Sequence, residues 1–354
     1  MSPPAPSTPP LNARQLPPNI FVAVMATGIV SLALNGAGYA PAALALFWLN
    51  LALYAALSCL LLVRVAKYRA ELVADVRSHA KAPGFFTLVA APCVLGNQAV
   101  LLLGSNTLGL ALGIIGLVFW VLLTYLMLPG LIAWTEKPKP EAGINGAWLL
   151  IIVGTQAVSV LACLLAPSFG TNMADAALFV SFCFWLVGSM IYFWLIALIF
   201  HRIVFLPLTP GELTPPYWIN MGAMAISTLA GVRLVGAADR LPLLLEVLPF
   251  LKGMTLLFWA TATWWIPILL SLGVWRHVIQ RVRVTYDSSY WAMVFPLGMY
   301  TVCTQQVIGL MHLPILRPIS DGFVWVATAA WLLTFVGLVG STAQGIHAGR
   351  QSRP

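Results

Sequence analysis

The run Phe295, Pro296, Leu297, Gly298 sits inside the apolar stretch "YWAMVFPLGMYTVCT", residues 290–304. Proline there lacks a backbone donor and crowds the turn before it, so the Ala292 carbonyl loses its helical partner. Proline also disfavours helical angles at Phe295, just ahead of it. The chain bends, and the ring before the bend can be aimed to one side. Gly298 leaves room for a neighbouring backbone or for movement of the ring. A neutral aromatic ring does no covalent chemistry. What it offers is desolvation: in a narrow path it strips water from an ion without replacing it. A packed or lipid-facing phenylalanine fits these residues equally well.

The remaining reactive side chains form no familiar constellation. His79, His201, His277, His312 and His347 are scattered at the ends of apolar runs or between them. No HExxH spacing, P-loop or nucleophile elbow is present. Cys59, Cys93, Cys163, Cys183 and Cys303 lie inside apolar runs without a CxxC pair and read as small buried apolar residues. No catalytic residue, metal ligand or cofactor is therefore expected. Asp and Glu number ten, none central to an apolar run; Asp175, Glu246 and Asp321 lie near the ends. Lys252 falls a few residues inside such a run, and Arg233 near the end of another. Either could attract anions to a mouth, and Arg317 could rim it too, although loop acids nearly balance Arg233 and Arg317. Lys252 could equally snorkel to the interface or pair with Glu246.

The elements that must position these residues follow from composition. Hydrophobic residues make up 60% of the 354-residue chain, charged ones 8%, and mean hydropathy is +0.92. A soluble domain carries roughly a quarter charged residues. This chain cannot cover itself that way, so its outside must face lipid. The apolar runs are long enough to cross a bilayer as helices, which satisfy their own backbones. They lack the period-two alternation of a membrane β-barrel. The expected fold is an all-α integral membrane protein with ten transmembrane helices. They span about 18–38, 42–63, 84–104, 107–133, 146–167, 175–200, 216–235, 243–275, 289–311 and 320–345. Short links after each odd span make five helical hairpins. Residues 1–17 read as a Pro-rich disordered tail, 18–345 as the membrane domain and 346–354 as a second tail.

Net charge is +8, and the basic residues flank the spans, which argues against nucleic acid. Fourteen of the 18 Lys and Arg fall on one side: Arg14, Arg64, Lys67, Arg69, Arg77, Lys81, Lys137, Lys139, Arg202, Arg276, Arg281, Arg283, Arg350 and Arg353. The positive-inside effect then places both termini in the cytoplasm, in agreement with an even number of spans. The segment 64–81 reads as an amphipathic surface helix or as an exposed basic loop.

The odd spans repeat a pattern. "MATGIVS", "CVLGNQA", "IVGTQAVS", "INMGAMAIST" and "FPLGMYTVCT" each hold a mid-span glycine: Gly28, Gly96, Gly154, Gly222 and Gly298. Hydroxyls cluster nearby, among them Thr27, Ser31, Thr155, Ser159, Ser227, Thr228, Thr301 and Thr304. The even spans are bulkier and richer in aromatics. Small residues inward and bulk toward lipid predict an inner ring of odd helices inside an outer ring of even ones. Glycines and hydroxyls would line a narrow uncharged path, with Thr27, Thr155 and Thr301 on it. Tight packing without a path also explains the glycines. Hydroxyls, backbone donors and helix dipoles would suit anions; cations would want carboxylate rings or filter carbonyls.

At "WAMVFPLGMYTVCT", "PPYWINMGAMAIST" and "VMATGIVSLAL" the sequence resembles the tellurite-resistance/dicarboxylate transporter family, over about residues 17–345. That family includes tellurite-resistance permeases, malate permeases, sulfite exporters and plant slow-type anion channels. The resemblance implies a central five-helix pore, often within a homotrimer in the cell membrane. It implies a pore phenylalanine at Phe295 and inner-helix kinks at Pro92 and Pro296. Implied substrates are C4-dicarboxylates such as malate, sulfite, or monovalent anions. The fifth span has Gly154 but no proline, a departure from uniform kinking. A proton-coupled dicarboxylate carrier is the alternative within transport; a membrane-embedded enzyme or sensor is the alternative outside it.

Overall fold

The computed structural model describes residues 12–351, with side chains through Thr342. No strand occurs among them. The helices are α1 (Val22–Gly36), α2 (Ala40–Lys67), a short α3 (Arg69–Arg77), α4 (Thr87–Leu103) and α5 (Asn106–Leu122). They continue as α6 (Leu150–Leu165), α7 (Thr171–Phe205), α8 (Ile219–Gly236), α9 (Leu248–Val274), α10 (Trp291–Met311) and α11 (Arg317–Gln351). Helix α5 runs on through a π turn at Leu123–Met127 to Ala133. Among the described residues nine helices are long and apolar enough to cross a membrane, and α1 is a shorter apolar one.

Helices α1, α4, α6, α8 and α10 form a closed ring. Each packs on the next, and α10 packs back on α1. Between them outside lie α2, α5, α7, α9 and α11. Each leans on its own hairpin partner and on the following ring helix. Burial separates the two sets. In the spans containing α4, α6, α8 and α10, between 67% and 89% of the most apolar window is buried; in the outer spans it is between 17% and 33%. In α1 every residue from Val22 to Leu34 is buried. The outer helices are apolar all round because lipid takes the face that the ring does not. Here Trp48, Trp194, Trp264 and Leu333 stay exposed.

A hydrogen bond ties each outer helix to the following ring helix. The Trp120 indole donates to Thr155 Oγ1 at 2.9 Å, that of Trp185 to the Ser227 carbonyl at 2.9 Å, that of Trp259 to Thr304 Oγ1 at 3.0 Å, and that of Trp331 to Thr27 Oγ1 at 3.0 Å. In the first hairpin Asn50 takes this part, donating to Gln98 Oε1 at 2.7 Å. Indole N–H groups in an apolar layer need acceptors; three ring threonine hydroxyls and the Ser227 carbonyl supply them.

The ring helices start at the basic face. There the chain before α1 is strapped down. Leu16 is buried, and its carbonyl accepts from Arg64 Nη1 at 2.5 Å. Arg64 also pairs with Asp75 at 2.6 Å, Lys81 with Asp75 at 2.9 Å, and Arg14 with Glu71 at 2.8 Å. Residues 12–17 are thus ordered, although their composition reads as a disordered tail. The polar groups of α3 and Arg64 hold them. Residues 1–11 lie outside the described residues. The segment 64–81 contains the end of α2 and the surface helix α3. The expectation of five buried cysteines needs correction. Cys93, Cys163 and Cys303 are buried, whereas Cys59 is exposed and Cys183 half-buried on the outer helices α2 and α7.

Candidate functional site

The axis of the ring holds the site. A cavity of about 190 Å³ draws its lining from all five ring helices. One layer of it consists of Ile29, Val94, Ala157, Ile226 and Met299. Toward the far end follow Asn35, Asn97, Gln305, Gln306 and Arg233. Arg233, Gln305 and Gln306 also line a second chamber of about 420 Å³, which opens at that face and adds Arg240. Among the described residues no carboxylate lines either chamber. Arg233 is half-buried, and its guanidinium has no hydrogen bond or ion pair among the described residues; its Nε is buried and unpartnered. The neighbouring carboxamides are partly engaged: Asn97 donates to the Cys93 carbonyl at 2.8 Å and Gln305 to the Ala33 carbonyl at 3.1 Å. A fixed positive charge beside amide groups, with no acid nearby, is an environment for an anion.

Helical periodicity carries the lining inward. Residues four apart share a helix face. Four positions before each member of the Ile29 layer stand Met25, Ala90, Val153, Gly222 and Phe295. All five are buried, Phe295 at 0% exposure. None offers a polar side chain. Six residues further back, Asn19, Gly84, Ala147 and Pro216 line a chamber of about 640 Å³ at the basic face. In sequence, the buried apolar layer with Phe295 stands between the residues that line the two chambers. Arg14, Arg64, Lys81, Glu71 and Asp75 line the basic-face chamber. There the backbone N–H of Glu71, then Arg14, hold the Glu71 carboxyl below its ordinary range.

The other expected site residues fall in different places. Gly28, Gly96, Gly154, Gly222 and Gly298 are joints. A Cβ on Gly28 would meet Val94 at 2.6 Å, on Gly96 Leu161 at 2.8 Å, and on Gly154 Val89 at 3.2 Å. On Gly222 it would meet Pro296 at 2.8 Å, and on Gly298 Ile29 at 2.7 Å. Each missing side chain faces a neighbouring helix, so the glycines bring ring helices close; only Gly222 also falls on the axial register. Thr27 and Thr155 turn their hydroxyls to outer-helix tryptophans, and the Thr301 hydroxyl donates to the Leu297 carbonyl of its own helix at 3.0 Å. Pro92 and Pro296 sit inside α4 and α10. Pro296 fills the space that Gly222 leaves open. Lys252 is exposed on α9 and lines none of these chambers, and it has no ion pair among the described residues. Sequence reasoning missed Asn35, Asn97, Gln305 and Gln306. The spacing 295, 299, 302, 306 was the signal that extends the Phe295 face to one of them.

Comparison with known proteins decides the family. The SLAC1 family, described as voltage-dependent anion channel, matches residues 15–339. The chain belongs to the SLAC1 family. This is the family that the motifs around Phe295 resemble. The uncharacterized transporter MJ0762 of Methanocaldococcus jannaschii is 24% identical over 330 residues, covering 92% of this chain and 94% of that protein. The uncharacterized membrane protein Rv1735c of Mycobacterium tuberculosis is 41% identical over 157 residues, covering 44% of this chain and 79% of that protein. As a SLAC1-family membrane protein, the chain is assigned to anion transport in general.

Proposed function

We propose that the chain is a passive pathway for small anions along the axis of its five-helix ring, closed at Phe295. One observation carries this reading: the unpaired Arg233 guanidinium faces chambers that lack any carboxylate, and an apolar layer lies one turn further in. Arg233 concentrates anions at the far mouth. The layer of Met25, Ala90, Val153, Gly222 and Phe295 offers no ligand in place of lost water. Phe295, the largest of these side chains, closes the path by bulk and by desolvation. The candidate substrates are malate and other C4-dicarboxylates, sulfite and monovalent anions. The axis provides no carboxylate relay for proton coupling. The protein works in the cell membrane with both termini cytoplasmic, as a homotrimer with one pathway per protomer.

The test is anion flux in proteoliposomes, with malate, sulfite, nitrate and chloride compared with and without a proton gradient. Phe295→Ala raises flux of the conducted anion, and the gradient leaves it unchanged. Unaltered flux in a folded variant removes Phe295 as the closure. Flux that requires the gradient replaces the passive pathway with a proton-coupled carrier.

A further inference from the structure

A separate crevice opens at the basic face, between the end of α9 and the starts of α8 and α10. Its volume is about 320 Å³. Leu269, Leu272, Trp218 and Met293 make one side apolar. At its head stand Arg276, His277 and Tyr290. Arg276 Nη1 donates to the Leu213 carbonyl, while its Nε is buried without an acceptor. His277 Nδ1 lies 2.8 Å from the Val282 carbonyl, a hydrogen bond that leaves Nε2 uncommitted. The adjoining loop adds Arg281 and Arg283 against a single acid, Asp287. Val284, another lining residue, is 71% exposed.

We infer that this crevice binds the head group of an anionic phospholipid, with an acyl chain following Leu269 and Leu272. Three observations select a lipid over a soluble anion. The cationic head lies at the end of a membrane-spanning helix. The lining below it is apolar. The rim includes Val284, an exposed apolar side chain that faces lipid once the protein is embedded. Basic pockets between helices at the inner membrane surface have the charge that an anionic head group requires. The site is distinct from the axial chambers; of its lining it shares only Thr214 with the basic-face chamber. It does not depend on the ring being a pathway.

Native mass spectrometry of the detergent-purified protein tests it, with phosphatidylglycerol and phosphatidylcholine added in equal amounts. Phosphatidylglycerol is retained at least fivefold over phosphatidylcholine. Arg276→Gln abolishes that preference, and Arg317→Gln at the opposite face leaves it intact. Should Arg276→Gln fail to fold for want of the Leu213 contact, Leu272→Trp serves instead. It fills the crevice from its apolar side, keeps Arg276 in place, and lowers retention equally. Soluble glycerol phosphate does not displace the lipid at millimolar concentration. Equal retention of the two lipids, retention unchanged in folded Arg276→Gln or Leu272→Trp, or full displacement by glycerol phosphate overturns the proposal.

Discussion

Arg233 and Lys252 have the same formal charge and different surroundings, and this separates their expected effects. Arg233 faces two chambers without a counter-charge, whereas Lys252 is exposed on an outer helix. A charge that focuses an enclosed mouth raises local anion concentration; one on an open surface is screened. Arg233→Gln should lower anion flux roughly tenfold at low ionic strength, with a smaller loss as salt rises. Lys252→Ala should leave flux and its salt dependence unchanged. Flux assays across a salt series read both variants. The same contrast shows what single residues reveal in sequence. Residue type announced that Thr27, Thr155 and Thr304 were polar in an apolar setting, but it could not say which way they faced. Their partners are tryptophans 304, 35 and 45 positions away. Those tryptophans read from sequence only as lipid-facing bulk. Pro296 inside α10 was legible because a proline marks an apolar helix locally.

At the scale of elements, two kinds of tie hold the helices in place. The indole bonds join rings of helices that pack without much hydrophobic drive between them, since lipid is as apolar as the neighbouring helix. Trp331→Phe keeps the aromatic bulk and removes one donor, so it should cost about 1 kcal/mol, read as a modest fall in thermal unfolding temperature. The strap before α1 rests on ions instead. Arg64 is 3% exposed, and removing it leaves Asp75 with Lys81 alone and the Leu16 carbonyl without its donor. Breaking a buried pair from one side costs about 3 kcal/mol, so Arg64→Ala should unfold at a clearly lower temperature and expose residues 12–17 to protease. The outer tie of that strap has a pH signature. The Glu71 carboxyl lies below its ordinary range, so its contribution is complete above that range and fades as pH falls through the lowered value. Protease sensitivity of the segment should stay flat from about pH 7 to pH 5 and rise only below about pH 4. The ten apolar helices were legible from composition and length. The strap was not, because Pro-rich composition says nothing about a buried arginine 48 residues further along the chain.

For the whole molecule, a chain of five hairpins closes on itself because every ring helix meets the next and the last meets the first. The repeat was visible in the sequence, but its register was not. The mid-span glycines mark where ring helices touch, and they stand three, six, one, zero and three residues after the layer of Met25, Ala90, Val153, Gly222 and Phe295. Except at Gly222, the packing contacts stand at other positions than that layer, so one repeat does not reveal the other. The layer fixes the sense of the molecule. On one side of it lie the strap and the larger part of the basic residues; on the other lie Arg233 and Arg240. Arg69 is exposed at the basic face, and Arg317 is exposed at the opposite one. Positive loops stay on the cytoplasmic side, so the two positions face different compartments. In a Cys59→Ser background, Arg317→Cys in intact cells should react with a membrane-impermeant maleimide, and Arg69→Cys should react only after permeabilisation. The opposite result would turn the protein over and put Arg233 at the cytoplasmic mouth.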